Sequence, residues 1–244
     1  FPYTTLFRSP SWSRDGKSIV YTTWNDETLG AVRVIPSAGG ASRVISDKQG
    51  HYIEPVFSPD GANVVYNRIG ADNLRSSLWT QDLGLYVVPS KGGASKRIID
   101  HGHEPEFGVS SDRVFFNDRE GDEAALKSVA LTGAEERVHL KSKWAQRFSL
   151  SPDQKWIAWE ERFQVYTAPF IGTGRGIELG AKGSALPQVR MSKDAGEWMH
   201  WSQDSTKLYW TLGPTLYTRP LNASFTFVDG APEKLPDAPA DGVK

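Results

Sequence analysis

The sequence predicts an all-β fold built from one repeated antiparallel unit, and three observations predict it. An aromatic or large apolar anchor recurs at Trp12, Phe57, Phe107, Leu150 and Trp201, and nine residues after each stands a second aromatic: Tyr21, Tyr66, Phe116, Trp159 and Trp210. Seven and eight residues after each anchor lie the apolar pairs Ile19-Val20, Val64-Val65, Val114-Phe115, Ile157-Ala158 and Leu208-Tyr209. The anchors are 45, 50, 43 and 51 residues apart. Periods of about 40–50 residues in a strand-rich pattern mark a β-propeller, with one blade to each repeat.

The physics of a single copy is readable in residues 54–68, EPVFSPDGANVVYNR. Val56-Phe57 opens a short strand. Pro59-Asp60-Gly61 reverses the chain, because Gly accepts positive φ and Asp bonds nearby backbone. Asn63 to Arg68 returns as a β-branched and aromatic strand. The turn glycine recurs only at Gly16, whereas Ser111, Gln154 and Ser205 stand at the same place in the other copies. Those turns must adopt another geometry or carry strain.

A second hairpin follows. VRVIPSAGG (32–40) recurs as LYVVPSKGG (85–93), and more weakly in residues 126–133, 165–172 and 216–221. Third strands are expected to end at Pro36, Pro89, Pro169 and Pro220. Outer strands are expected at 42–46, 95–99, 136–140, 188–192 and 225–229. Proline and polar residues suit strands near a sheet edge. The expected architecture is thus a β-propeller of four-stranded antiparallel blades at about 10–46, 54–100, 104–140, 146–192 and 197–229. Blade two carries a long loop (70–84) and blade four an insertion (172–185); residues 230–244, rich in Pro, read as a linker or tail.

The chain has 244 residues and a formal net charge of -1, with 28 basic against 29 acidic residues. That balance gives no electrostatic basis for a nucleic-acid or acidic-membrane partner. With 9 Trp, 8 Tyr and 11 Phe the chain can bury a large core. It has no Cys, which excludes disulfide and thiolate chemistry. No run approaches the roughly 20 apolar residues of a membrane-spanning helix.

Residues 1–9, FPYTTLFRS, resemble the translation of a sequencing adapter and are set aside as one would a fusion scar. With the repeat starting abruptly behind them, the five copies are expected to be part of an incomplete ring of six to eight blades.

The motifs FSPDG (57–61), WSRDG (12–16) and LSPDQ (150–154) resemble the repeat of TolB-like propellers, over residues 10 to 229. Residues 193–221 and 225–236 resemble the last blade and exit of the propellers found N-terminal to exported amidohydrolases. That resemblance implies a non-catalytic accessory propeller that gates or positions substrate, or mediates assembly. It also implies a C-terminal hydrolase domain in the parent chain that binds a divalent metal, a periplasmic or secreted location, and no cofactor in these residues themselves. Two alternatives share the repeat: a TolB-like protein-interaction module, and the gating propeller of a prolyl-oligopeptidase-like serine peptidase. The repeat specifies fold and leaves function to the site.

The candidate binding residues follow from blade geometry. Glu54, Glu104 and Arg147 stand three residues before an anchor, and Glu197 four before. They are expected, with His103, where the chain enters the innermost strands at the mouth of a central channel. Propellers take protein or peptide ligands on such loops. The competing reading has these residues capping strand ends in solvent. His101-Gly102-His103 is the only His-x-His and is read as a solvated pair without metal. His200 is read as a packed inner-strand residue. His51 falls in a junction loop and His139 in an outer strand. Trp24 and Trp79 are possible carbohydrate platforms. No G-x-S-x-G nucleophile elbow is present, and no catalytic residue is assigned.

Overall fold

The structure, a computed structural model, describes residues 6–25, 27–70, 82–172, 175–181 and 185–243. The described residues are all-β, with twenty strands and one 3-10 turn. Among the described residues no helix is long and apolar enough to cross a membrane.

Among the described residues five sheets follow one another along the chain, each a blade of the β-propeller fold. The first is β1 (Leu6–Trp12), β2 (Ser18–Trp24), β3 (Ala31–Pro36) and β4 (Arg43–Val44), in that order. The second is β5 (His51–Phe57), β6 (Asn63–Ile69), β7 (Gly84–Pro89) and β8 (Lys96–Ile99). The third holds β9 (His103–Glu106), β10 (Arg113–Glu120), β11 (Glu123–Ala130) and β12 (Arg137–Ser142). The fourth is β13 (Ala145–Leu150), β14 (Trp156–Glu161), β15 (Gln164–Pro169) and β17 (Val189–Arg190), and the fifth is β18 (Glu197–Trp201), β19 (Lys207–Leu212) and β20 (Thr215–Pro220). The insertion contributes β16 (Ile177–Glu178), which runs parallel to β12 with Leu140 opposite Ile177. Third strands end at Pro36, Pro89, Pro169 and Pro220, where a residue without N–H stops the ladder.

The chain divides into two compact units, residues 1–118 with 128–136, and residues 119–127 with 137–244. In the first unit, Val64 and Tyr66 face the first sheet and pack with Val20, Val34 and Ile45, while Val65 faces the third and packs with Phe107, Val114 and Phe116. Adjacent residues of one strand thus serve two cores, as the two-residue period of a strand requires. In the second unit Ala158, Val165, Met199, Leu208 and Trp210 do the same between sheets four and five. The aromatics nine after each anchor are all buried: Tyr21, Tyr66, Phe116, Trp159 and Trp210. Three of them stack on a tyrosine directly opposite in the third strand: Tyr66 on Tyr86, Trp159 on Tyr166 and Trp210 on Tyr217, at 5.8, 5.4 and 5.9 Å between centroids. Each such pair contributes about 0.5–1.5 kcal/mol beyond its buried area.

The reversal after each anchor is a hydrogen-bonded device. The Ser58 hydroxyl donates to Asp60 Oδ1 at 2.6 Å and accepts the N–H of Asn63 at 2.9 Å. Ser13–Asp15, Ser151–Asp153 and Ser202–Asp204 repeat the 2.6 Å bond. Gly16 and Gly61 sit at φ 69°, and Gln154 and Ser205 adopt the same left-handed conformation at 57° and 60°, so these two turns keep the geometry and carry the strain. In the third sheet the turn is rebuilt two residues later, with Ser110 donating to Asp112.

Two expectations need correction. Residues 225–229 form no outer strand. After Pro220 the chain makes a 3-10 turn (Leu221–Ala223), and Phe225 and Phe227 lie on the Trp156 ring at 5.0 and 6.1 Å. The apolar alternation that suggested a strand is used in that packing. Beside β20 the tail returns instead, with Leu216 and Val243 exchanging both backbone hydrogen bonds at 2.7 and 2.9 Å, so part of the Pro-rich segment is docked. At the other end β1 begins at Leu6, inside the segment set aside, and pairs Leu6, Phe7 and Arg8 with Trp24, Thr23 and Thr22. A backbone ladder makes little demand on side-chain identity, so this pairing locates the segment without bearing on its origin.

Candidate functional site

The innermost strand of each sheet is irregular at the same place. Register shifts fall between Arg8 and Ser11, Ile53 and Val56, Ala145 and Arg147, and Glu197 and His200, and β9 shifts against Phe115–Asn117. Three residues before the anchor, Ser9, Glu54, Glu104 and Trp198 have φ of 48°, 54°, 49° and 54°. None is glycine, so each holds a left-handed conformation against its own Cβ. Bulges of this kind re-aim a side chain.

In the first unit the bulges bring two of the expected residues together. The carboxylate of Glu54 accepts the backbone N–H of Glu104 through Oε2 at 2.6 Å, and Asn117 Nδ2, itself buried, donates to Glu104 Oε2 at 3.2 Å. Both glutamates are half-buried. His103 lies opposite Asn117 in the ladder but is exposed.

In the second unit the Arg147 guanidinium lies 5.9 Å above the Trp198 ring, which is 66% exposed. Glu197 is exposed and pairs with Thr211. The register places Trp198, not Glu197, at the position equivalent to Glu54 and Glu104. The three-before-anchor spacing points to Trp198, whose aromatic side chain sets it apart from the charged Glu54, Glu104 and Arg147 at that position in other repeats. A second cation–aromatic group stands in the same unit: Arg162 is 4.6 Å and Lys143 5.4 Å from the Trp144 ring. Trp144 and Phe163 are 51% and 61% exposed. The Phe163 carbonyl accepts the N–H of Gly196 at 2.9 Å, which ties the β14–β15 turn to the segment before Trp198.

The histidines are placed differently from expectation. His101 is no free solvated residue. Its Nδ1 is 2.8 Å from Asp100 Oδ1, and its Nε2 is 3.4 Å from Asp118 Oδ2 and 3.3 Å from Glu136 Oε1. Burial alone would lower its pKa, but the hydrogen bonds to Asp100 and Glu136 and the charges of Asp118 and Glu136 outweigh it and leave the pKa raised. Sequence reasoning missed this group because its members come from three separate segments. His200 in β18 stands opposite Tyr209 with its surface exposed, yet the surrounding protein, and then the charge of Arg147, lower its pKa. His51 opens β5 rather than lying in a loop. His139 is buried in β12 near Phe170. Trp24 is half-buried against His51 at 4.7 Å, which removes one face from any carbohydrate; Trp79 lies outside the described residues. A cleft of about 360 Å³ beside β3 and β4, lined by Asn25, Leu29, Arg33, Asp47 and Lys48 among others, contains none of the expected binding residues.

No protein-family model matches the chain. Over 116 residues, 46% of its length, it is 29% identical to the Tol-Pal system protein TolB of Francisella tularensis subsp. mediasiatica, and those residues span 25% of that protein. Among solved structures, TolB from Acinetobacter baumannii superposes with a TM-score of 0.65 at 19% identity, covering 88% of this chain and 52% of that one. A TolB from Agrobacterium tumefaciens gives 0.63 at 15% identity, over 89% and 78%. An oligogalacturonate lyase in complex with manganese gives 0.63 at 10% identity, over 90% and 66%. The repeat, the sheet order and these likenesses agree on one architecture, and the chain has the TolB-like β-propeller fold.

Proposed function

We propose that the chain is a non-catalytic binding propeller that takes a protein or peptide at the end of its sheets where the innermost strands begin. The observation carrying this reading is the repeated strained bulge three residues before the anchor. Non-glycine residues in left-handed conformations persist where the surroundings over-determine them, and they cluster at functional sites. Here the same strain recurs in four inner strands and presents Glu54, Glu104 and Trp198. Exposed tryptophans beside arginines supply the rigid aromatic contact typical of binding surfaces. The sequence likeness to a Tol-Pal system protein supports an interaction role in an exported, periplasmic setting.

A peptide-display selection on the purified chain tests the reading. Enriched peptides should bind the wild type and lose at least tenfold in affinity to Trp198→Ala or to Arg147→Ala, with the fold intact by circular dichroism. Selection that enriches nothing, or peptides indifferent to both substitutions, would overturn it, as would hydrolytic turnover by the purified chain.

A second reading, the accessory propeller of an amidohydrolase, is favoured by the resemblance of residues 193–221 and 225–236. Reading the gene past the codon for Lys244 tests it. A barrel bearing His-x-His supports it, and an immediate stop codon refutes it.

A further inference from the structure

We propose that His101, Asp118 and Glu136 form a divalent-cation site, with Asp100 as the residue that orients the imidazole. Their ligand atoms all lie within 4.8 Å of one another. The spacing is that of a coordination shell: donors held about 2.1 Å from a tetrahedral ion stand about 3.4 Å from each other. Nε2 of His101 is 3.4 Å from Asp118 Oδ2 and 3.3 Å from Glu136 Oε1. The opposite ring nitrogen is also engaged as metal sites require. With Nδ1 donating to Asp100 Oδ1 at 2.8 Å, an ion would displace the proton that Nε2 shares with Glu136 and take the Nε2 lone pair.

The ring is held in place by the fold. His101 meets Phe116 edge-on at 6.0 Å between centroids. Gly102, at φ 87°, lets the chain lie against that same phenylalanine, since a Cβ there would meet the Phe116 ring at 2.4 Å. Asp118 comes from β10, and Glu136 precedes β12. The three ligands thus sit on separate segments of the first unit, and an ion would add a cross-link to segments already joined through one sheet. One imidazole with two carboxylates suits Zn²⁺ or Mn²⁺ and leaves a coordination position open to water or to a ligand group. The site shares no ligand with the Glu54–Glu104 contact and does not depend on the binding role proposed above.

Isothermal titration of the chelator-treated chain with Zn²⁺, and separately with Mn²⁺, provides the test. One saturable site per chain is expected, together with a rise in melting temperature that grows with metal concentration. Affinity should fall at least tenfold in His101→Gln and in Asp118→Asn, both near-isosteric changes at part-buried positions, with the fold checked by circular dichroism. Asp100→Asn should lower it about 10- to 100-fold with stoichiometry retained, the effect of removing an orienting partner. His103→Gln should leave binding unchanged. Absence of saturable binding for both ions, binding that survives both His101→Gln and Asp118→Asn, or loss of binding in His103→Gln would each overturn the assignment.

Discussion

Glu54 and Glu104 stand at the same position of neighbouring repeats, and the carboxylate of the first accepts the backbone N–H of the second at 2.6 Å. The side chain re-aimed by one bulge therefore satisfies the backbone of the next, which couples sheet two to sheet three. A hydrogen bond to a charged group contributes about 1.5–3 kcal/mol when buried, and partial exposure of Glu54 puts this one near the low end. Glu54→Ala should lower the urea midpoint by the equivalent of about 1 kcal/mol. Glu54→Gln, which keeps an acceptor oxygen at the same reach, should retain more than half of that. Equal losses in the two variants would show that the contact is not what the carboxylate supplies.

The turns give a prediction of sign. Gln154 and Ser205 occupy the place of the turn glycine at φ 57° and 60°. Replacing Gln154 by Gly removes the Cβ penalty, about 1 kcal/mol, against a smaller entropic cost in the unfolded chain, and should raise stability by about 0.5 kcal/mol. Ser205→Gly relieves the same strain but deletes the hydroxyl that accepts the N–H of Asp153 at 3.0 Å. That loss is about 1 kcal/mol, so Ser205→Gly should be neutral or destabilising. Thermal melts should show Gln154→Gly raised and Ser205→Gly unchanged or lowered, and an equal rise in both would refute the role given to the Ser205 hydroxyl.

The parts of the fold legible in the sequence are those where burial imposes periodicity. Val64 and Val65 each face a different core, so both must be apolar, and Tyr66 must fill the space between sheets; nothing else satisfies that geometry. The missing fifth outer strand shows the limit. Phe225 and Phe227 alternate as strand residues would, yet the Trp156 ring offers the same apolar cover without a ladder. The site was legible only in part because exposed bulges carry no hydrophobic signal. Glu54 and Glu104 emerged from spacing, and Trp198 obeyed that spacing unrecognised. The group around His101 was invisible, because topology alone brings Asp118 and Glu136 to it. So too is the contact of Arg14 Nη2 with the Phe107 carbonyl at 3.0 Å, 93 residues away.

Acid should weaken the fold in two windows, the upper shared by His51 with His200 and the lower by Asp204 with Asp15, Asp47, Asp60 and Asp100, all of which have lowered pKa values. His51 donates from Nδ1 to the Gly70 carbonyl at 3.1 Å, while its buried Nε2 has no hydrogen-bond partner among the described residues. Burial lowers its pKa despite the Gly70 carbonyl, which acts the other way; the charge of Arg8 lowers it further. The folded chain thus binds this proton less readily than the unfolded chain. The contribution is present above the unfolded value of about 6.5 and is lost as pH falls from there toward the folded value. Asp204 behaves as a stabilised carboxylate. The Ser202 hydroxyl, then the Thr206 N–H and hydroxyl, bring its pKa down to about 2. Its contribution is present above the unfolded value of about 3.9 and is lost as pH falls through about 2. His101, with its raised pKa, has the opposite sign: its term is present below about 6.5 and fades as pH rises through its folded value. Urea unfolding in chelator at a series of pH values separates these terms. His51→Phe keeps a ring on Trp24 without titrating and should lessen the decline between about pH 7 and 5, leaving the lower window intact. Asp204→Asn should lessen the decline between about pH 4 and 2 and leave the upper window intact. If His51→Phe keeps the wild-type slope above pH 5, the upper window belongs to another group and the burial of His51 is not what sets it.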